Sequence, residues 1–156
     1  MSEKLLELAI ELARKHHKDQ LDKGGNPYIN HPLAVMNRLD TVEEKIVGVL
    51  HDIVEDTEVT FDDLREYGFS EEIIAGVDSV TRREGEPRGA FIYRAKQNDL
   101  GRTVKIADLK ENSNLSRIPN PQEKDYKRLE KYKKEISILT EDSWIYKEGE
   151  WVKISE

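Results

Sequence analysis

Thr41-Val42-Glu43-Glu44-Lys45-Ile46-Val47-Gly48-Val49-Leu50-His51-Asp52-Ile53-Val54-Glu55-Asp56 is the stretch on which the fold turns. Thr41, with Glu44 three residues on, fits a capping box, in which hydroxyl and carboxylate each satisfy a backbone N–H that the first helical turn leaves unpaired. Ile46, Val47, Val49, Leu50, Ile53 and Val54 then cover much of a helix circumference. A helix apolar on most of its faces belongs in the middle of a domain. The spacing predicts one continuous helix as far as Asp56, with His51-Asp52 near its C-terminal end.

Helical period continues on both sides. Leu5, Leu8, Ala9, Leu12 and Ala13 repeat at i, i+3, i+4 after a candidate N-cap, Ser2, and predict a helix to about His17. It should stop before the breakers Lys23-Gly24-Gly25-Asn26-Pro27. Asn30-His31-Pro32 reads as a new start, proline suiting the first turn, with helix to about Leu39. Thr60 and Ser70 open two more helices, the second turning Ile73, Ile74, Val77 and Val80 inward. Residues 81–89 read as a loop, and 90–97 and 102–114 as helices. Asn120-Pro121-Gln122-Glu123 reads as an N-cap and first turn leading a long helix to about Leu139. The tail differs. Two β-type runs, Trp144-Ile145-Tyr146 and Trp151-Val152-Lys153-Ile154, flank Lys147-Glu148-Gly149-Glu150 and predict a hairpin that sets Trp144 across from Trp151. The expected fold is all-α, one helical domain over residues 1–140 with a tail over 141–156.

Composition narrows the function. The chain has 156 residues, enough for one domain. Charged residues make up 37%, which predicts a thin core under a charged surface rather than disorder, because the apolar residues are periodic. There is no cysteine, so disulfides, thiolate metal sites and cysteine catalysis are excluded. The formal charge of −7 disfavours duplex nucleic acid and anionic membranes as partners. No apolar run approaches a membrane span and the first residues do not read as a signal peptide, so a cytoplasmic chain is expected.

The chemistry gathers where the central helix is expected to end. His51 and Asp52 are followed one turn later by Glu55 and Asp56, so one helix end holds an imidazole and three carboxylates. Such clusters are commonly solvated helix ends. Two features favour a cation instead. Ile53-Val54 interrupt the cluster and draw part of it toward the core, where carboxylates persist mainly when paired or metal-bound. The helix dipole is also negative at that end, so acids there need compensation. Mixed nitrogen and oxygen ligation without thiolate suits Mn²⁺, Fe²⁺ or Zn²⁺ better than Ca²⁺. His31, at a helix start, and Asp108, an acid within Val104-Lys105-Ile106-Ala107-Asp108, are further candidates, though each alone is more often structural, His31 as a helix cap and Asp108 as an ion-pair partner.

Three strings in order, Asn26-Pro27-Tyr28-Ile29-Asn30-His31-Pro32, Leu50-His51-Asp52-Ile53-Val54-Glu55-Asp56-Thr57 and Lys105-Ile106-Ala107-Asp108-Leu109-Lys110-Glu111-Asn112, resemble the HD-domain phosphohydrolases. They are similar in particular to the hydrolase domain of RelA/SpoT proteins and the small stand-alone alarmone hydrolases. The resemblance implies an all-α fold with one Mn²⁺ held by His31, His51, Asp52 and Asp108. It implies that Glu55 and Asp56 position or activate the attacking water and that Asn112 lies near the nucleotide ribose. It implies removal of the 3′-pyrophosphate of (p)ppGpp, with no room in these residues for a synthetase domain. Physically, a divalent ion would activate water and let a polyanion approach an acidic protein.

The sequence also departs from that family. After the first helix the family carries His-x-Gly-Gln-x-Arg, whose arginine packs by the guanine base; here His17 and Gln20 match, but Asp19 stands for the glycine and Asp22 for the arginine. Lys23 is the nearest cation that could substitute. Arg82, Arg83, Arg88 and Arg117 are candidates for a phosphate-binding rim, with Arg82 and Arg117 taken with Lys23 and Asn112 as the substrate-binding set. The lysines and Arg128 of the last long helix are interspersed with glutamates and read as a solvated face. The expected activity is therefore a metal-dependent phosphohydrolase on a small nucleotide, (p)ppGpp first. The alternatives are a nucleotidase or phosphodiesterase on another nucleotide, or a non-catalytic HD nucleotide sensor. The oligomeric state is not legible.

Overall fold

Side-chain caps set the starts of four α-helices among the described residues. The computed structural model describes residues 2–154, with the side chains of Ser2 and Arg117 outside the described set, so the Ser2 cap and the Arg117 contact fall outside it too. The order is α1 (Ser2–His16), α2 (Asn30–Asn37), α3 (Val42–Leu50), α4 (Ile53–Asp56), α5 (Phe61–Glu66), α6 (Glu71–Ser79), α7 (Arg88–Gln97), α8 (Asp99–Asn112), a 3₁₀ turn (Leu115–Arg117), α9 (Glu123–Thr140), β1 (Trp144–Lys147) and β2 (Glu150–Lys153). Thr41 and Thr60 complete capping boxes with Glu44 and Asp63, and the Ser70 hydroxyl accepts from the Ile73 N–H.

α7 starts at Arg88, two residues inside the expected loop, and three further boundaries differ from the sequence reading. The central helix stops at Leu50 instead of running through Asp56. His51 Nδ1 donates to the Gly48 carbonyl at 2.6 Å, and Asp52 leaves the helical region at φ −107° and ψ 0°. A side chain that captures a backbone carbonyl competes with the helical ladder, and here it splits one helix into α3 and α4. The second difference is at α8, which begins at Asp99, three residues before the expected start. The Asn98 side chain accepts from the Gly101 N–H at 2.8 Å, an N-cap that the reading passed over. The third is at α9, which is capped by Gln122, whereas Asn120 takes a left-handed φ of 57° and belongs to the loop before it.

α3 sits at the centre, packed on α1, α2, α6 and α8. Ile46, Val47, Val49 and Leu50 are all buried. Gly48 faces the end of α2: a Cβ there would sit in ordinary contact with Met36 Cα at 3.5 Å and would displace only the tip of Leu39, just beyond the helix. α8 crosses α3 and α9 covers α8, with Arg88 tying α7 to α9 through a two-pronged pair with Glu135 at 2.9 and 2.7 Å. No helix among the described residues is long and apolar enough to cross a membrane.

The tail forms an antiparallel hairpin. Glu148 and Gly149 both have positive φ (50° and 81°), the backbone of a two-residue type I′ turn. That turn pairs Tyr146 with Trp151 and Trp144 with Lys153, so the two tryptophans are not opposite each other as expected. Trp151 instead joins Tyr146 and Tyr93, with ring centroids 5.3 and 6.1 Å away, and its Nε1 donates to the Gly89 carbonyl. Trp144 Nε1 donates to Ser137 Oγ at 2.9 Å, which lays the other end of the hairpin on α9.

Candidate metal centre

Three helices converge on one buried point. His31 is the second residue of α2, His51 and Asp52 occupy the break between α3 and α4, and Asp108 lies one turn from the end of α8. Ligand-capable atoms of His31, His51 and Asp108 all lie within 4.8 Å of one another, and all three residues are buried. Asp52 adjoins this group, with Oδ2 3.0 Å from His51 Nε2, but is partly exposed and its carboxylate accepts from the Tyr28 hydroxyl.

The helix break determines what His51 can do. A carbonyl only accepts, so the contact with Gly48 places a proton on Nδ1. In the neutral ring Nε2 is then a bare lone pair. It is buried without a hydrogen-bond partner, yet it faces Asp52 Oδ2 at 3.0 Å and Asp108 Oδ1 at 3.3 Å. A lone pair against two carboxylates is repulsive and requires a cation between them. A proton is one solution: burial works against the imidazolium, but Asp52 and Asp108 outweigh it and push the His51 pKa well above 6.5. A divalent ion is the other, and the donor set of imidazole nitrogens and carboxylate oxygens fits one. The backbone acceptor on Nδ1 is the outer partner that metal-binding histidines ordinarily have.

Asp108 is held at both oxygens. Oδ1 accepts from His31 Nε2 at 2.8 Å and Asn112 Nδ2 at 3.1 Å, and Oδ2 pairs with Lys105 Nζ at 3.0 Å. Burial raises its pKa, but Lys105 and the two imidazoles dominate and hold it well below the usual carboxylate range. Asp56 behaves oppositely. Burial, then repulsion from Asp52 and Glu55, lifts it to about 6. Glu55 Oε1 accepts from the Arg82 backbone N–H at 2.8 Å, which aims α4 at the chain leaving α6.

A cavity of about 400 Å³ opens over these groups, lined by His31, Asp52, Glu55, Asp56, Asp108 and Asn112 and walled by Asp22, Lys23, Tyr28, Arg128 and Tyr132. Lys23 and Asn112 therefore reach it as expected. Arg82 does not. Its guanidinium donates to the Glu86 carbonyl, and Arg83 and Arg88 pair with Asp78 and Glu135. The rim expected on residues 82–88 is thus spent on tying its own loop and α7 in place. Asp22, which stands for the family's arginine, is also committed: Oδ1 accepts from the N–H groups of Gly24 and Asn26, both at 2.9 Å. Gln20 donates to the Asp56 carbonyl and accepts from the buried His17, so that matched pair braces the loop against α4.

Sequence reading missed Tyr28, Arg128 and Tyr132 as wall residues. Tyr28 lies inside the Asn26–Pro32 string, and Arg128 lies among the mixed charges of its helix, although Tyr132 is four residues on and the two share one face. Counting the apolar partner at that spacing would have separated Arg128 from its solvated neighbours.

Comparison with known proteins is consistent across three measures. A family model described as the HD domain matches residues 9–134. A probable GTP pyrophosphokinase of Mycobacterium leprae is 32% identical over 81% of this chain and 18% of its own length. A guanosine-3′,5′-bis(diphosphate) 3′-pyrophosphohydrolase of Aquifex aeolicus is 33% identical over 65% of this chain and 14% of its own length. The chain thus spans less than a fifth of these bacterial relatives. The human guanosine-3′,5′-bis(diphosphate) 3′-pyrophosphohydrolase MESH1 is 36% identical over 67% of this chain and 64% of its own. A solved structure described as a metazoan ortholog of SpoT that hydrolyzes ppGpp shares the fold, with a TM-score of 0.71, 20% identity and coverage of 86% of this chain and 84% of that one.

Proposed function

The chain belongs to the HD-domain family, and from that premise we propose that it is a metal-dependent phosphohydrolase that removes the 3′-pyrophosphate of a nucleotide such as (p)ppGpp. The observation that carries the metal is His51 Nε2, a buried lone pair facing two carboxylates. His31, His51, Asp52 and Asp108 would hold the ion, and Mn²⁺ is the proposed metal. Such an ion supplies Lewis acidity, which acidifies water and polarises a phosphoryl oxygen.

The remaining steps belong to side chains. Glu55 and Asp56 line the cavity beside the centre. A carboxyl near pH 6 is well matched to take a proton from attacking water at neutral pH. The water oxygen would bond to the 3′-phosphorus as the bond from that phosphorus to the 3′-oxygen breaks, so the water's OH leaves with pyrophosphate, and the proton taken by the carboxylate passes to the 3′-oxygen to leave a 3′-hydroxyl. Lys23 supplies positive charge on the cavity wall, Arg128 reaches the same wall while paired with Asp125 at 2.7 Å, Tyr132 offers an aromatic face, and Asn112 a polar contact for the sugar. The relatives named as pyrophosphohydrolases support this substrate, which a cytoplasmic nucleotide pool would supply. Asp22 favours a second reading, another small nucleotide, because an acid stands on the wall where the family has a base-contacting cation.

Mn²⁺-loaded protein incubated with ppGpp, pppGpp and ordinary nucleotides, with pyrophosphate and orthophosphate measured separately, tests both. Pyrophosphate from ppGpp is the expected product. Orthophosphate from other nucleotides, with ppGpp intact, would replace the first reading by the second. No product from any member would leave only a binding role.

A further inference from the structure

Lys105 is a buried cation, with 8% of its side chain exposed. Its Nζ lies 3.0 Å from Asp108 Oδ2 and 4.7 Å from the centre of the Phe91 ring. Burying an ammonium is costly even when it is paired, and an apolar side chain of similar length would serve the core as well or better. The pairing is also one-sided. Lys105 occupies Oδ2, while Oδ1 receives His31, Asn112 and the close approach of His51.

We propose that Lys105 is a positioning residue that limits Asp108 to presenting one oxygen to a bound cation, and that its charge loosens the hold of the site on that cation. The inference rests on the metal-centre reading above. Two cations that share one carboxylate in a low-dielectric interior repel each other. Lys105 thereby keeps Asp108 aimed when no metal is present, and makes the metal easier to exchange when one is.

Lys105→Met keeps an apolar stem against Phe91 and removes both charge and donor. Lys105→Gln removes the charge and keeps a donor for Oδ2. The full-length variants are titrated with Mn²⁺ by electron paramagnetic resonance of the free ion, alongside turnover and thermal melting. Both should bind Mn²⁺ tighter, by about 10-fold, the size of change that loss of an ordinary outer partner brings but opposite in sign, because this partner is itself a cation. Lys105→Met should also lose turnover as the second oxygen becomes free, and Lys105→Gln should retain more of it. An ion pair that only supports the fold predicts the reverse sign, unchanged or weaker Mn²⁺ binding with a lower melting temperature. Folded variants that bind Mn²⁺ no tighter than wild type would overturn the proposal. If Lys105→Met does not fold, Lys105→Gln alone decides the sign. A wild-type chain that binds no Mn²⁺ would instead overturn the metal centre itself, and this inference with it.

Discussion

Replacing Gly101 by alanine tests how tightly α8, which carries Asp108, is seated on α6. In an open helix that change stabilises by about 1 kcal/mol. Here an ideal Cβ would lie 1.8 Å from Ser79 Oγ and 2.9 Å from Ser79 Cβ. The hydroxyl can rotate away, but it then loses its hydrogen bond to the Gly76 carbonyl at 2.7 Å, worth about 1 kcal/mol net. No rotation moves Ser79 Cβ, so the helices must part by about 1 Å to restore ordinary carbon contact. Overpacking of this kind costs typically about 1–3 kcal/mol. The expected outcome is a net destabilisation of that size, read as a lower midpoint in urea with an unchanged slope. Ser79→Gly removes both offending atoms, so in that background Gly101→Ala should be neutral or stabilising. The double-mutant cycle should then show coupling of roughly 2–3 kcal/mol, at the upper end for residues in contact. Ser79→Ala should relieve only part, because its Cβ remains. A stabilising Gly101→Ala on its own, or a cost that persists in the Ser79→Gly background, would refute the steric reasoning.

Three further outcomes are expected. Glu55→Gln and Asp56→Asn should each lower turnover, by about 10²–10⁴-fold for whichever is the base, with Mn²⁺ affinity largely kept; near-normal turnover in both would make them scaffold. Mn²⁺ at 100 times its Kd should stabilise the chain by about 2.7 kcal/mol, a rise in Tm of roughly 5–11 °C for a protein of this size, and calorimetry of His51→Ala should show no such rise. Acid lability should fall partly on Glu86. The hydrogen bonds from Arg94 at 2.7 and 2.8 Å hold its carboxyl below 4.5. As pH falls the unfolded chain takes up this proton first, so the contribution is complete above about pH 4.5 and lost as pH drops through the lower folded value. The difference in stability between pH 7 and pH 3 should be smaller in Glu86→Gln, and an equal difference would show the pair to be neutral.

Periodicity and caps made most of the fold legible. The boxes at Thr41 and Thr60 and the cap at Ser70 are local hydrogen bonds whose partners lie three residues away, so the chain announces them. The break at His51-Asp52 is not local in that sense. It depends on an imidazole turning back onto the Gly48 carbonyl, and an apolar pattern that runs on through Ile53 and Val54 conceals it. The grouping of His31 and Asp108 with His51 is expected from the resemblance alone, because the last two lie 57 positions apart and only tertiary packing joins them. The partners of the arginines are hidden for the same reason. Arg82 and Arg88 look like free cations until Glu86 and Glu135 are brought to them, and Arg128 looks solvated until α9 is laid on α8.

The loop that carries Asp22 bears on how a ligand is received. Residues 21–27 close on themselves through a bridge between Leu21 and Pro27, the Asp22 carboxylate spans the turn, and the Tyr28 N–H returns to the Gln20 carbonyl. This wall of the cavity is already folded before anything enters, with no segment waiting to be ordered. A ligand that contacts Lys23 on it is spared the loss of loop entropy that induced closure would impose, which favours affinity through preorganisation. The same bracing limits choice: a wall held by its own hydrogen bonds admits ligands by fit, and its discrimination should show as differences in dissociation rate more than in association.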